Sequence, residues 1–206
     1  MFHGPPGTGK SALAKHIAGT LEMKCRLTKA NGLLNSFVGG AEKRVNGAFQ
    51  KTQQDEAVLI IDETDSFLFD RNTSVCSWET SAVNQFLICL EECRSICVCT
   101  ANRLEMLDPA AIRRFSRKVE FTYPSQVQLR SLCRTPLSPL AGSDPDDNDL
   151  KALDSMTITA PGDFHAVKAK YWLAAPGALK HSELIGALAQ EEKLKKEDFQ
   201  KRVGFQ

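Results

Sequence analysis

The sequence predicts an α/β sandwich on a parallel sheet, followed by a small all-helical unit. Two observations point there. Ala57-Val58-Leu59-Ile60-Ile61 is an unbroken apolar run closed by Asp62-Glu63, the pattern of a strand buried on both faces. Around it, strand-like and helix-like segments alternate, as crossover connections between parallel strands require. Helical spacing runs from Lys10 to Leu21 (Ala12, Leu13, Ile17, Leu21), and Lys24 to Lys29 is a short strand. Ala41 to Gln54 is a second helix, with Val45, Ala48 and Phe49 on one face. Ser81 to Glu92 reads as a helix, Ser95 to Thr100 as a buried strand, and Lys118 to Phe121 as another strand.

The composition changes after Tyr123-Pro124. Residues 135–149 (TPLSPLAGSDPDDND) are rich in Pro, Ser and Asp, which reads as a loop inside a smaller C-terminal region. Helices are expected from about Pro161, where proline suits a first turn, and from Ser182 to about Glu197. The division expected is therefore residues 1–123 and residues 124–206.

Hydrophobic residues make up 42% of the 206 and charged residues 25%, enough to build a core in an ordinary soluble chain. With 26 basic and 25 acidic side chains the net charge is +1, which favours neither nucleic acid nor an anionic membrane as partner. No apolar run approaches a membrane span and no secretory leader opens the chain, so the expected compartment is the cytoplasm. Of the seven cysteines, Cys89, Cys93, Cys97 and Cys99 fall close together. Their spacing is not that of a zinc knuckle, and they read as small buried hydrophobes.

Chemistry is concentrated in Gly4-Pro5-Pro6-Gly7-Thr8-Gly9-Lys10-Ser11, which has the form G-x-x-x-x-G-K-S. A glycine-rich turn feeding a helix aims backbone N–H groups and the positive end of the helix dipole at an anion. Lys10 would reach the β- and γ-phosphates of a nucleotide, and Ser11 would ligate Mg²⁺. About fifty residues on, Asp62 closes a buried strand and can hold the same Mg²⁺, while Glu63 is placed as a general base for the attacking water.

These motifs resemble those of the AAA-family ATPases, P-loop proteins that assemble into rings, usually hexamers, and remodel other proteins. GPPGTGKS matches the family's Walker A, and LIIDETDSFLFDR resembles its Walker B with a trailing arginine, Arg71. Thr100-Ala101-Asn102 matches sensor 1, which implies that Asn102 orients the attacking water. Leu107-Asp108-Pro109-Ala110 and Arg113-Arg114-Phe115-Ser116-Arg117 resemble the second region of homology. The implied roles of Arg114 and Arg117 are to reach the neighbouring subunit's nucleotide. Asn35 to Lys43 resembles the first pore loop, with Phe37, Val38 and Gly39 as the triplet that grips a polypeptide. The resemblance implies a P-loop NTPase three-layer sandwich with a helical lid, ATP and Mg²⁺ as cofactors, self-association, and a protein or peptide substrate.

The chain departs from the family in three places. Leu90-Glu91-Glu92-Cys93-Arg94 stands where many relatives carry Asp-Gly-Phe. Ala160-Pro161-Gly162 stands at the sensor-2 helix start with no arginine close behind, leaving Gly162 as an adenine-side neighbour. Only Met1-Phe2-His3 precedes the phosphate loop, so the strand before that loop is expected to be missing and the sheet to carry a gap. Two other readings follow from these features: a non-catalytic or truncated nucleotide-binding scaffold, and a ring ATPase acting on nucleic acid.

Overall fold

The structure is a computed structural model that describes residues 1–34, 40–68 and 77–203. The chain divides into two compact units: Met1–Pro5 with Gly9–Phe121, and Pro6–Thr8 with Thr122–Gln206.

The first unit is a five-stranded sheet with spatial order β2-β3-β4-β1-β5. Its strands are β1 (Phe2–His3), β2 (Cys25–Lys29), β3 (Val58–Asp62), β4 (Cys97–Ala101) and β5 (Val119–Glu120). Every pairing is parallel. Alternation along β3 sorts its side chains to opposite faces. Val58 and Ile60 join Ala14 and Ala18 of α1 (Lys10–Thr20), while Leu59 and Ile61 join the opposite cluster. That second cluster takes Val45 and Phe49 from α3 (Gly40–Gln54), Phe86 and Leu87 from α4 (Ser77–Glu92), and Ala111 from α5 (Pro109–Arg114). The short helix α2 (Ala30–Leu34) precedes α3. Helices thus cover both faces, giving the three-layer α/β arrangement that the apolar run foretold.

The expected gap is not there. Phe2 and His3 form β1 between β4 and β5, in register with Thr100 and Ala101 on one side and Val119 and Glu120 on the other. Val119 N–H donates to Met1 O at 2.9 Å and Phe121 N–H to His3 O at 2.7 Å. Phe2 stacks obliquely on Phe121, with ring centroids 5.3 Å apart. Two residues are enough because both neighbours supply ladder partners, so the expectation of a missing first strand is corrected.

Of the four clustered cysteines expected to be buried, Cys99 is buried and the other three are half-buried. Cys99 is buried in the α3/α4 cluster, and Cys89, Cys93 and Cys97 pack against it. Burial pushes the Cys89 and Cys93 thiols up; Cys97 is pushed up by its hydrogen bond to Cys99 and then by burial. Raised thiols are poor nucleophiles and metal ligands.

In the second unit the described elements are helices: α6 (Gln126–Ala141), α7 (Asp147–Asp154), α8 (Pro161–Lys170) and α9 (His181–Val203). Most of the expected 135–149 loop is therefore helical, and only 142–146 lies between α6 and α7. Pro136 and Pro139 sit inside α6, each removing one N–H from its ladder. The helix survives because Leu129, Cys133 and Leu137 bury one stripe against Phe164, Val167, Leu184 and Leu188. Ser125 and Gln128 form a capping box at its start, and Gly142 ends it at φ 68°, where a side chain would be strained.

A buried carboxylate helps anchor this unit. Glu192, 4% exposed, accepts from Thr157 N–H (3.0 Å), Thr159 Oγ1 (2.8 Å) and Lys196 Nζ (2.7 Å). Burial alone would raise its pKa, but bonds from Lys196, Thr157 and Thr159 outweigh it and bring the carboxyl to about 2. A depressed carboxyl stabilises the fold above its unfolded pKa, and that contribution disappears as pH falls from about 4.5 toward 2. We expect wild-type thermal stability to drop more steeply between pH 5 and 3 than that of Glu192→Gln. The difference should reach at most about 3 kcal/mol.

Candidate functional site

Register decides which residues meet. Asp62 pairs with Lys29, Ile61 with Cys99, Phe2 with Thr100 and His3 with Ala101. The carboxyl ends of β1, β3 and β4 therefore finish at one rim, and the next residues are Gly4, Glu63 and Asn102. Ligands of open parallel sheets bind at such a rim, beside the point where strand order reverses. Here β1 leads through α1 to the far edge strand β2, and the chain then steps back through β3 and β4.

The loop after β1 requires its glycines. Gly4 has φ 127°, and a Cβ there would sit 2.0 Å from Phe121 O. Gly9 has φ 95° and is the N-cap of α1, with no heavy atom within 4 Å of a Cβ position. Lys10 is the first residue of α1 and 6% exposed. Its Nζ donates to Gly4 O at 2.7 Å and Pro5 O at 2.8 Å, curling the loop around the ammonium. Burial lowers its pKa, and the nearby Asp65 and Asp62 charges oppose that shift.

Beside Lys10, Ser11 Oγ donates to Asp62 Oδ1 at 2.8 Å. Thr100 Oγ1 also donates to Asp62 Oδ1 and accepts from Glu63 N–H at 3.3 Å. Glu63 is held at φ 60°, ψ 44°, a left-handed conformation that costs a residue with a side chain about 1–2 kcal/mol. Such strain in a non-glycine residue clusters at functional sites. Its carboxylate meets Lys29 Nζ at 3.6 Å. Asn102 N–H donates to Asp65 Oδ2 at 3.1 Å, tying the end of β4 to the turn after β3.

The structure thus joins Lys10, Ser11, Asp62 and Glu63 at one rim, with Asn102 adjoining. It does not bring Arg114 into that cluster: its guanidinium donates to Glu91 Oε1 at 2.5 Å and Ala110 O at 2.9 Å. The Arg117 side chain is exposed, and its carbonyl accepts from Met1 N at 2.7 Å. Pro6, Gly7, Thr8 and Gly162 group with the second unit, where Gly162 N–H donates to Gly7 O at 2.9 Å. Phe37, Val38, Gly39 and Arg71 lie outside the described residues.

Sequence reasoning overlooked Thr100 as a bridge between Asp62 and Glu63, and Lys29 as the partner of Glu63. A signal for Thr100 existed: a hydroxyl at the end of a buried strand has to find a polar partner there. Thr100→Val keeps the shape but removes the bridge. We expect a loss of about 1–2 kcal/mol in thermal unfolding, and turnover falling more than nucleotide affinity in paired kinetics and titration.

Five parallel strands between helical layers, with a glycine-rich loop after β1 and carboxylates at the end of β3, are consistent with a P-loop NTPase fold with an added helical part. Residues 1–123 match the family described as ATPase family associated with various cellular activities (AAA), and the chain belongs to it. It is 31% identical over 175 residues to ATP-dependent zinc metalloprotease FtsH 3 of Sphaerobacter thermophilus, covering 79% of this chain and 34% of that protein. It is 33% identical over 152 residues to an AAA ATPase forming ring-shaped complexes from Bifidobacterium animalis, covering 65% and 29%. Fidgetin-like protein 1 of Drosophila melanogaster shares 35% over 133 residues, covering 61% and 25%. The chain spans a fifth to a third of the length of the curated relatives it matches. No described helix is long and apolar enough to cross a membrane.

Proposed function

We propose that this chain binds ATP with Mg²⁺ and hydrolyses it, as one subunit of a ring that remodels protein substrates. The observation that carries the reading is the Ser11–Asp62 hydrogen bond, which joins the phosphate loop to the Walker B strand across 51 residues. The residues fit both ligands. Left-handed glycines bare the loop's backbone N–H groups, a buried ammonium stands at the helix start, and a hydroxyl beside a carboxylate is an oxygen donor pair for a hard cation.

In this reading Gly4 to Gly9 cradle the phosphates, Lys10 neutralises them, and Ser11 with Asp62 holds the cation. When bound, Mg²⁺ would supply charge neutralisation on the phosphate oxygens. Glu63 takes the proton of the attacking water. Its strained backbone, locked through Thr100, fixes the carboxylate beside Asp62 without using it as a ligand. Asn102 holds the water in line, and Gly162 borders the adenine. Arg114 and Arg117 serve the neighbouring subunit's site, and Phe37, Val38 and Gly39 grip the substrate. The relative named for ring-shaped complexes supports the oligomer, and the near-neutral charge supports a protein over a nucleic-acid substrate.

Calorimetric titration of ATP with and without Mg²⁺ tests the foundation. Wild type should bind with Mg²⁺-dependent affinity, and Lys10→Ala should bind at least about tenfold more weakly. Equal binding by the two proteins would remove the phosphate-loop assignment.

A further inference from the structure

Two features of the second unit play no part in ATP hydrolysis as proposed. The first is the turn after α8, where Trp172 is 75% and Leu173 79% exposed. Backbone bonds hold this turn: Trp172 N–H donates to Ala169 O at 3.3 Å, and Ala174 N–H to Tyr171 O at 2.9 Å. An indole gives a large contact area for few rotatable bonds, which is why tryptophan is enriched at the energetic centres of interfaces. The turn is also basic: residues 164–182 include Lys168, Lys170 and Lys180 and no carboxylate.

The second feature is a groove of about 610 Å³ between α7 and α9. Ala152, Met156, Ile185 and Ala189 give it apolar walls, and Gly186 opens it, with no heavy atom within 4 Å of a Cβ position there. Asn148, Asp149 and Ser155 also line it and bring oxygens that can accept from an indole N–H. The helix along it is acidic. Residues 144–154 hold five aspartates (Asp144, Asp146, Asp147, Asp149 and Asp154) against Lys151, and Arg130 pairs with Asp154 alone of these. Neither Trp172 nor Leu173 lines the groove of its own chain. Both α6 and α9 pack against α7 and against α8, which puts α7 and α8 at opposite corners of the bundle.

We propose that Trp172 and Leu173 of one copy dock into the α7–α9 groove of a second copy. The pair is apolar and so are the groove's walls, and the space is ample for an indole with an aliphatic neighbour. Charge matches as well, since the lysines flanking the turn would face the aspartates of α7 and steer the encounter. A second copy is the occupant that supplies both halves of this match. Turn and groove are different surfaces of the chain, so the contact is heterologous: each copy gives its turn to one neighbour and its groove to another. That arrangement builds rings or chains of copies. An anchor of two side chains is a small interface and is weak by itself. The proposal deepens the self-association reading above and rests on it, naming one contact between copies.

Sedimentation velocity of the full chain without nucleotide, across a dilution series, tests the contact apart from hydrolysis. Wild type should associate, and its affinity should weaken several-fold as salt rises to about 0.3 M. Trp172→Ala/Leu173→Ala removes the exposed pair, while Gly186→Leu fills the groove and raises helix propensity. Each should weaken association about tenfold or more with an undiminished melting temperature. An equimolar mixture of the two variants should form dimers, because the intact turn of one fits the intact groove of the other. A wild type that stays monomeric, either variant associating as wild type does, or a mixture no heavier than its components would overturn the proposal. Any of these results alongside rings formed with Mg²⁺-ATP removes this contact alone. A chain that is monomeric at every concentration with Mg²⁺-ATP as well removes the self-association reading beneath it.

Discussion

Glu63→Gln should bind Mg²⁺-ATP with nearly wild-type affinity and turn it over about 10²–10⁴-fold more slowly. The amide is isosteric but cannot accept the proton of an attacking water. Asp62 and Ser11, the pair assigned to the cation, are untouched by the change, as is the Glu63 N–H bond to Thr100. Titration calorimetry and steady-state phosphate release, measured side by side, separate the two effects. A fall in affinity matching the fall in turnover would instead place Glu63 among the ligand-holding residues. The ion pair with Lys29 adds a control. Both side chains are about half exposed or more, so the pair contributes little to stability, and Lys29→Ala should leave the melting temperature almost unchanged.

Arg114→Ala should reduce turnover as severely, by about 10³-fold or more, for a different reason. Within one chain Arg114 is occupied by Glu91 and Ala110, and not by the cluster around Lys10. Its proposed partner is the charge that builds on phosphate in the adjacent subunit. This distinguishes it from Glu63, whose loss affects its own site. Mixing Arg114→Ala with Glu63→Gln should therefore restore activity, because some interfaces then combine an intact base with an intact arginine. A mixture no more active than its components would show that the two residues serve one and the same subunit.

The first unit was legible because its signals are local and agree with one another. Continuous apolarity at Ala57–Ile61 required a strand buried on both faces, and β3 sends Val58 and Ile60 to one helical layer and Leu59 and Ile61 to the other. Phe2–His3 was not legible as a strand: two residues carry no periodicity, and their strand character comes from the neighbours β4 and β5. In α6, composition misled. Two prolines and the following Asp-rich stretch hid Leu129, Leu132, Cys133, Leu137 and Leu140, whose spacing is helical and whose burial outweighs two lost hydrogen bonds.

The site divides in the same way. Lys10, Ser11, Asp62 and Glu63 stood out as candidates because G-x-x-x-x-G-K-S has a fixed spacing and the buried strand ends in acids, and the structure brings the four to one rim. Thr100 and Lys29 reach Asp62 and Glu63 only through strand register, which no single segment encodes. The left-handed backbone of Glu63 was likewise invisible, since glutamate is not a residue that announces such a turn.

The central claim is that one chain supplies the phosphate loop and base while its neighbour supplies the arginine. The most direct measurement is Mg²⁺-dependent ATP hydrolysis per chain across a wide dilution series, with the assembly state followed by sedimentation. The specific rate should rise steeply with concentration as rings form and fall away in the monomer. A rate per chain that stays flat through dissociation, or no Mg²⁺-dependent hydrolysis at any concentration, would contradict it.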